Sequence, residues 1–259
     1  NGRMPEGRDR EERELGLRLD LMSVLITERG YAVDALKSEM ERVSALSRKL
    51  GTTENLVPAL QTQWVLIGSS GNITASKDFA FQVRESVRGG SEVDRLLAHC
   101  MCATSLLFSA ELEEAIVEYE RFMGLYEPGR HGPALRTGHA DHAIMVMMGL
   151  AECHTLMGNL EAADRWRERT FAAARQAQGV HNLVHVLVFA GCLHHALTGR
   201  TEEMARFADE LVQLVEEGGL AFWRGHAELF AGFARIHRGE EDEGFVQARR
   251  GVKALLAAN

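Results

Sequence analysis

The chain is short of several things, and each shortage removes a class of protein. It has 4 prolines in 259 residues, too few for a proline-rich linker. It has no run of roughly 18 apolar residues, so no membrane-spanning helix is expected and a membrane is not among its expected partners. Basic residues are outnumbered, 29 Lys+Arg against 37 Asp+Glu, for a net charge of −8. An acidic chain is a poor match for a phosphate backbone, so nucleic acid is not expected as a partner. Cysteines number 4: Cys100, Cys102, Cys153 and Cys192, each in an apolar stretch. Residues two apart, such as Cys100 and Cys102, point to different faces of a helix, which suits neither a disulfide nor a shared metal. Four buried thiols fit a reducing compartment, and a cytoplasmic location is expected. The N-terminal stretch is crowded with charge (Arg3, Glu6, Arg8, Asp9, Arg10, Glu11, Glu12) and lacks the apolar core of a signal peptide. It opens on Asn1 rather than Met, as a piece of a longer protein would. Residues 1–10 are expected to be a tail, and 11–259 one domain.

The chain is rich in apolar residues, 46% of the total, enough for a large buried core. Helical patterning runs from about Glu11 onward and is broken by regular punctuation. The marks are Gly30, Gly71, Ala110, Gly158, Gly199 and Gly239, at intervals of 41, 39, 48, 41 and 40 residues. Five residues after each mark stand Ala35, Ser76, Ala115, Ala163, Met204 and Gly244; seven before stand Ser23, Trp64, Ala103, Ala151, Cys192 and Gly232. Most are small, which lets two helices approach closely, and the mark between them is a turn where glycine can take a left-handed conformation. Each unit therefore reads as two antiparallel helices, about six hairpins in all, with no sheet. Ser91-Glu-Val-Asp94 reads as a capping box opening one of them. The long interval contains Glu127–His139, with Pro128, Gly129, Gly132, Pro133 and Gly138. That composition predicts an irregular loop, and it carries Arg130, His131 and Arg136.

Small residues packed around a glycine turn, with an aromatic on the return helix, resemble tetratricopeptide repeats. Leu150-Ala151, His154, Gly158, Leu160 and Ala163 match that pattern best. The period here is longer than the family's roughly 34 residues and the repeat-ending proline is missing. The resemblance implies an all-α fold, a right-handed α-solenoid of about six antiparallel hairpins. A wider likeness rests on Leu125-Tyr-Glu-Pro-Gly-Arg-His131, on Gly138 with Asp141, on Glu14-Leu-Gly-Leu-Arg-Leu19 and on Arg29-Gly-Tyr-Ala32. These resemble the C-terminal helical region of bacterial signalling proteins in which a class III adenylate/guanylate cyclase domain and an AAA-type ATPase precede the repeats. The likeness implies a non-catalytic interaction or sensor region.

No constellation of an acid, a base and an oxyanion donor assembles in the sequence. Gly68-Ser-Ser-Gly71 has Asn72 where a nucleophile elbow needs glycine, and Gly89-Gly90-Ser91 lacks the lysine of a P-loop. The 11 histidines include the pairs His139/His142 and His181/His185, and His194-His195. None has the H-E-x-x-H arrangement or a convergent third ligand in sequence, so they read as helix-cap and groove residues. An enzyme is not expected, nor is a cofactor or a bound metal.

Counting back from the turns, as in tetratricopeptide grooves, gives an inner row: Leu97, Met101 and Thr104; Met145, Met148 and Glu152; Val186, Phe189 and Leu193; His226, Phe230 and Phe233. So apolar a row suits a groove for a helix or an extended peptide. The expected partner is a protein or peptide, which includes another domain of a parent protein. The alternative is a small anionic or apolar effector held in the groove, with Arg130, His131 and Arg136 reaching over it. Val252, Leu255 and Leu256 on the last helix could be covered by a second copy, so a homodimer stays open.

Overall fold

The computed structural model describes residues 7–29, 34–50, 53–137, 140–177 and 179–257. The helices are α1 (Arg8–Arg29), α2 (Asp34–Leu50), α3 (Thr53–Ser69), α4 (Ile73–Ser86), α5 (Glu92–Phe108), α6 (Leu112–Leu125) and α7 (Pro128–Leu135). A two-residue antiparallel ladder, β1 (Arg136–Thr137) with β2 (Ala140–Asp141), follows. Then come α8 (His142–Leu156), α9 (Leu160–Gln176) and α10 (Val180–Val186). The last of these continues without a break through a π-helical segment, Leu187–Leu193, into α11 (His194–Leu197). The chain ends in α12 (Thr201–Glu217), a 3-10 turn (Ala221–Trp223), α13 (Arg224–His237) and α14 (Glu241–Ala257).

Why the helices start and stop where they do is local chemistry. Asn72, Asp141 and Asn159 accept hydrogen bonds from Ala75, Ala143 and Ala162 backbone N–H groups, satisfying donors that the first helical turn leaves unpaired. The Ser91–Asp94 capping box forms in both directions, each bond 3.1 Å. The turn marks Gly71, Gly158, Gly199 and Gly239 all have positive φ, and Ala110 takes the same place at φ 59°. A left-handed alanine is costly, yet the turn it closes is held by Glu111 N–H donating to the Leu106 carbonyl at 3.0 Å. The Gly30 mark lies outside the described residues.

Helices joined by these turns pack on each other: α5 on α6, α8 on α9, α12 on the π segment before it, and α13 on α14. The small residues flanking the turns sit where the pairs touch; Ala103, Ala115, Ala163 and Cys192 have no exposed surface. In the last pair the contact is backbone to backbone. A Cβ on Gly232 would lie 2.5 Å from the Ala248 nitrogen, and one on Gly251 would lie 2.5 Å from the Leu229 nitrogen. The apolar interior runs as two large clusters, one from α4 to α8 and one from α8 to α13, with Met123 and Trp166 packed against both. A smaller cluster between α1 and α2 centres on Leu15, Met22, Val43 and Leu46. Helix α1 also reaches the 3-10 turn Ala221–Trp223, about two hundred residues along the chain.

Three expectations need correction. The stretch 127–139 is not irregular over 128–135: Pro128 occupies the first helical position, where its missing N–H costs nothing, and His131 Nδ1 accepts the Glu127 N–H at 3.0 Å as a cap. The β1–β2 ladder stands where no sheet was expected, two residue pairs leading into α8. Finally, Val180–Leu197 is long and apolar enough to span a membrane by composition, with mean hydropathy 1.3, but 61% of it is buried inside the protein. On the last helix, Val252 and Leu256 are exposed while Leu255 packs near Gly225.

Candidate functional site

The first helices of three consecutive hairpins lie side by side: α8 against the π segment and α11, and α13 against the π segment. Helix α8 contributes Met145 and Glu152, both half-buried, with Met148 only 9% exposed between them. The next helix contributes His185, Phe189 and Leu193, all half-buried, and α13 contributes His226, half-buried, and Phe233, which is exposed. Met145, Met148, Phe189 and Leu193 belong to one apolar cluster. Rings carry the row onward. His185 stacks on Phe189 at 5.6 Å and meets the edge of Trp223 at 4.5 Å; Phe189 meets His226 at 6.2 Å, and His226 lies 5.2 Å from Trp223. His181 joins the same group, 5.4 Å from Trp223.

Several expected row residues do not reach this surface. Met101 has no exposed area and Leu97 has 1%. Helices α3 and α8 both pack on α5, and they meet through the Gln61 amide at 3.1 Å from the His142 ring. Phe230 is 4% exposed and belongs to the core, so Phe233 alone of that pair meets solvent. Val186 is fully buried, and His185 stands in its place on the row.

Arg130 and His131 are engaged elsewhere. Arg130 and His131 both converge on Glu92 Oε2, at 2.8 and 3.1 Å. Because His131 Nδ1 accepts from a backbone N–H, its Nε2 carries the proton and donates to that carboxylate. The His131 hydrogen bond holds the Glu92 carboxyl below its ordinary value. Arg136 is exposed, across the β ladder from Asp141.

Electrostatics separates the row from the rest of the fold. Glu118, buried on α6, holds Arg84, His99 and Arg121 at 2.7, 2.6 and 2.5 Å. Asp164 holds Arg200 at 2.9 Å and Arg167 at 3.3 Å. Glu152 has no hydrogen-bond or ion-pair partner among the described residues, and burial alone pushes its carboxyl up to about 7. His226 is pushed down to about 4 by burial, so it is neutral at physiological pH, and its Nδ1 is buried without a hydrogen bond. The thiols of Cys100, Cys102 and Cys153 are pushed up to about 12 by burial, which leaves them unreactive. Among the described residues no group of three or more His, Cys, Asp or Glu is placed to hold a metal ion.

Two cavities in the fold lie away from the row. One, of about 300 Å³, is lined by Arg167, His195, Glu203, Arg206, Phe207 and Glu210; the other, also about 300 Å³, lies between α1 and α2. The row's side chains are mostly half-buried and open to solvent. Its recognition chemistry is apolar contact from methionine and phenylalanine, π-faces from imidazoles, of which His226 is neutral, and one unpartnered carboxyl.

No family model matches the chain, and no curated protein matches it. Among solved structures, the crystal structure of BtubC (BKLC) from P. vanneervenii is similar, with a TM-score of 0.52 over 98% of this chain and 92% of that one. The two share 11% sequence identity, so the likeness is one of helical fold alone.

Proposed function

We propose that this chain is a tetratricopeptide-like α-solenoid that acts as a non-catalytic interaction domain, binding a protein or peptide segment along the inner row. The observation that carries this reading is the continuous run from Met145 through Phe189 and His226 to Phe233. It crosses three adjacent helices as partly exposed apolar and aromatic surface. Stacked hairpins offer extended surface by construction, and a run of this kind suits a helix or an extended strand of chain better than a compact metabolite. The parent we propose is a cytoplasmic bacterial signalling protein of the cyclase–ATPase type, on the strength of the sequence resemblance in residues 125–141. The competing effector reading has less support, because Arg130 and His131 are already engaged by Glu92.

The test is selection of binders from a displayed random-peptide library on the whole chain, followed by affinity measurement on Phe189→Ala with Phe233→Ala. Truncating two anchors should weaken the selected peptides by about 2 kcal/mol or more, while far-UV circular dichroism remains native. Peptides that bind the double variant as well as the parent would place recognition on another face and overturn the proposal.

A further inference from the structure

The inner row contains one group that the fold leaves electrostatically incomplete. Other acids drawn into the fold are matched: the buried Glu118 has three cationic or imidazole partners, and the half-buried Asp164 has two arginines. Glu152 has none among the described residues. It is also not sealed in. It sits half-buried on α8, one turn beyond Met148, on a face whose other polar members are imidazoles. One of these, His226, is held neutral by its own burial. The row therefore offers a carboxyl, open to an incoming group, with no cation of its own.

From this geometry we propose that Glu152 sets the specificity of the surface by taking the lysine or arginine side chain of a docked, otherwise apolar partner segment. The inference rests on the interaction-domain reading above and adds the charge that the partner must carry. The physical case is complementarity. A carboxyl that has lost part of its hydration without gaining a partner gains more from an arriving cation than a fully exposed carboxylate does. The aliphatic stem of a lysine or arginine suits the methionine-lined approach, since such side chains bury their methylenes and extend the charged head. Met145 and Met148 provide that approach on α8. The net charge of −8 favours encounter with a basic segment over an acidic one.

The experiment uses two fluorescein-labelled amphipathic peptides of one length, one built from leucine and lysine, the other from leucine and glutamine. Anisotropy titrations at pH 8 compare the whole chain with Glu152→Gln, and a second variant, Glu152→Asp, keeps the charge while shortening its reach. The lysine peptide should lose about tenfold in affinity on Glu152→Gln, the worth of one charge-assisted hydrogen bond. It should lose less on Glu152→Asp, and the glutamine peptide should bind all three proteins alike. Equal affinity of the lysine peptide for the parent and Glu152→Gln overturns the inference. If both peptides still bind and both are weakened by Phe189→Ala, the surface reading survives that failure. If neither peptide binds, both readings fall.

Discussion

The backbone contact between α13 and α14 sets two effects of opposite sign against each other, and the structure says which is larger. Replacing Gly232 with alanine in the middle of a helix removes a flexible residue, a gain of about 1 kcal/mol on propensity alone. The new Cβ, however, would lie 2.5 Å from the Ala248 nitrogen, 2.6 Å from the Gly244 carbonyl oxygen and 2.8 Å from the Ala248 Cα. Ordinary contact begins at 3.4 Å, and all three obstacles are backbone atoms that cannot rotate away. The two helices must separate along their length, and overpacking of this kind costs about 3 kcal/mol. The net expectation is a loss of about 2 kcal/mol, or a fall in Tm of about 4–8 °C for a chain of this size. Gly124→Ala is the internal control: it lies exposed on α6 with nothing within 4 Å of the new Cβ, so it should raise stability by about the propensity term. Thermal unfolding followed by far-UV circular dichroism reads both, and hydrogen exchange should show the Gly232→Ala loss concentrated in α13 and α14. If the two variants shift Tm in the same direction, the close approach is not a structural constraint and the argument fails.

Two further perturbations test the buried electrostatics. Glu118→Ala should cost about 3 kcal/mol, because it strips Arg84 and His99 of a common partner in a buried site. Arg121→Ala, whose side chain is 55% exposed, should change urea stability little. Comparable losses from the two would refute the assignment of Glu118 as the hub. His194 is 3% exposed and pushed down to about 4 by burial, then by His195 and Arg167. The sign follows from linkage: the unfolded imidazole binds its proton near 6.5 while the folded one resists, so stability is full above that range. It declines as pH falls toward 4, by up to about 3 kcal/mol. Urea titrations between pH 7 and 4 measure the decline, and an NMR titration placing the His194 ring near its ordinary value would contradict it.

Much of the helical framework was legible because it depends on local rules. The turn marks were found from spacing, and the four glycines among them that lie in described residues have the left-handed backbone that makes glycine useful. Ala110 was found by position alone; nothing in its side chain asks for φ 59°. The Ser91–Asp94 capping box needs only residues three apart, so it too could be read directly. Burial of the inner row was less legible. Leu97 and Met145 are both apolar and stand at the same count before their turns, but α3 and α8 close over α5 and leave Leu97 only 1% exposed. Composition could not show that Arg130 and His131 would find Glu92, which lies about forty residues earlier. A stretch with two prolines and three glycines still formed a two-turn helix, because one proline took the position that needs no N–H.

The displacement of the row at His185 has a single cause, and it links backbone geometry to the candidate surface. Counting in helical steps from the Gly199 turn assumes a constant number of residues per turn, and the π segment Leu187–Leu193 breaks that assumption. A π turn takes in an extra residue, so every side chain upstream of it rotates by about one position relative to the count. Val186 is thereby turned into the core, where it has no exposed area, and His185 is brought out to stack on Phe189 at 5.6 Å. The wider turn is supported from both sides. Gly191 offers no Cβ where the Phe207 ring packs, at 3.0 Å from where that atom would be. His195 Nδ1 lies 2.7 Å from the Gly191 carbonyl and, facing an acceptor, must carry the proton it donates. Without the π segment the row would present valine at this point and break the imidazole–aromatic series between α8 and α13. The irregularity thus converts an aliphatic position into a polarisable one on the face where Glu152 awaits a cation.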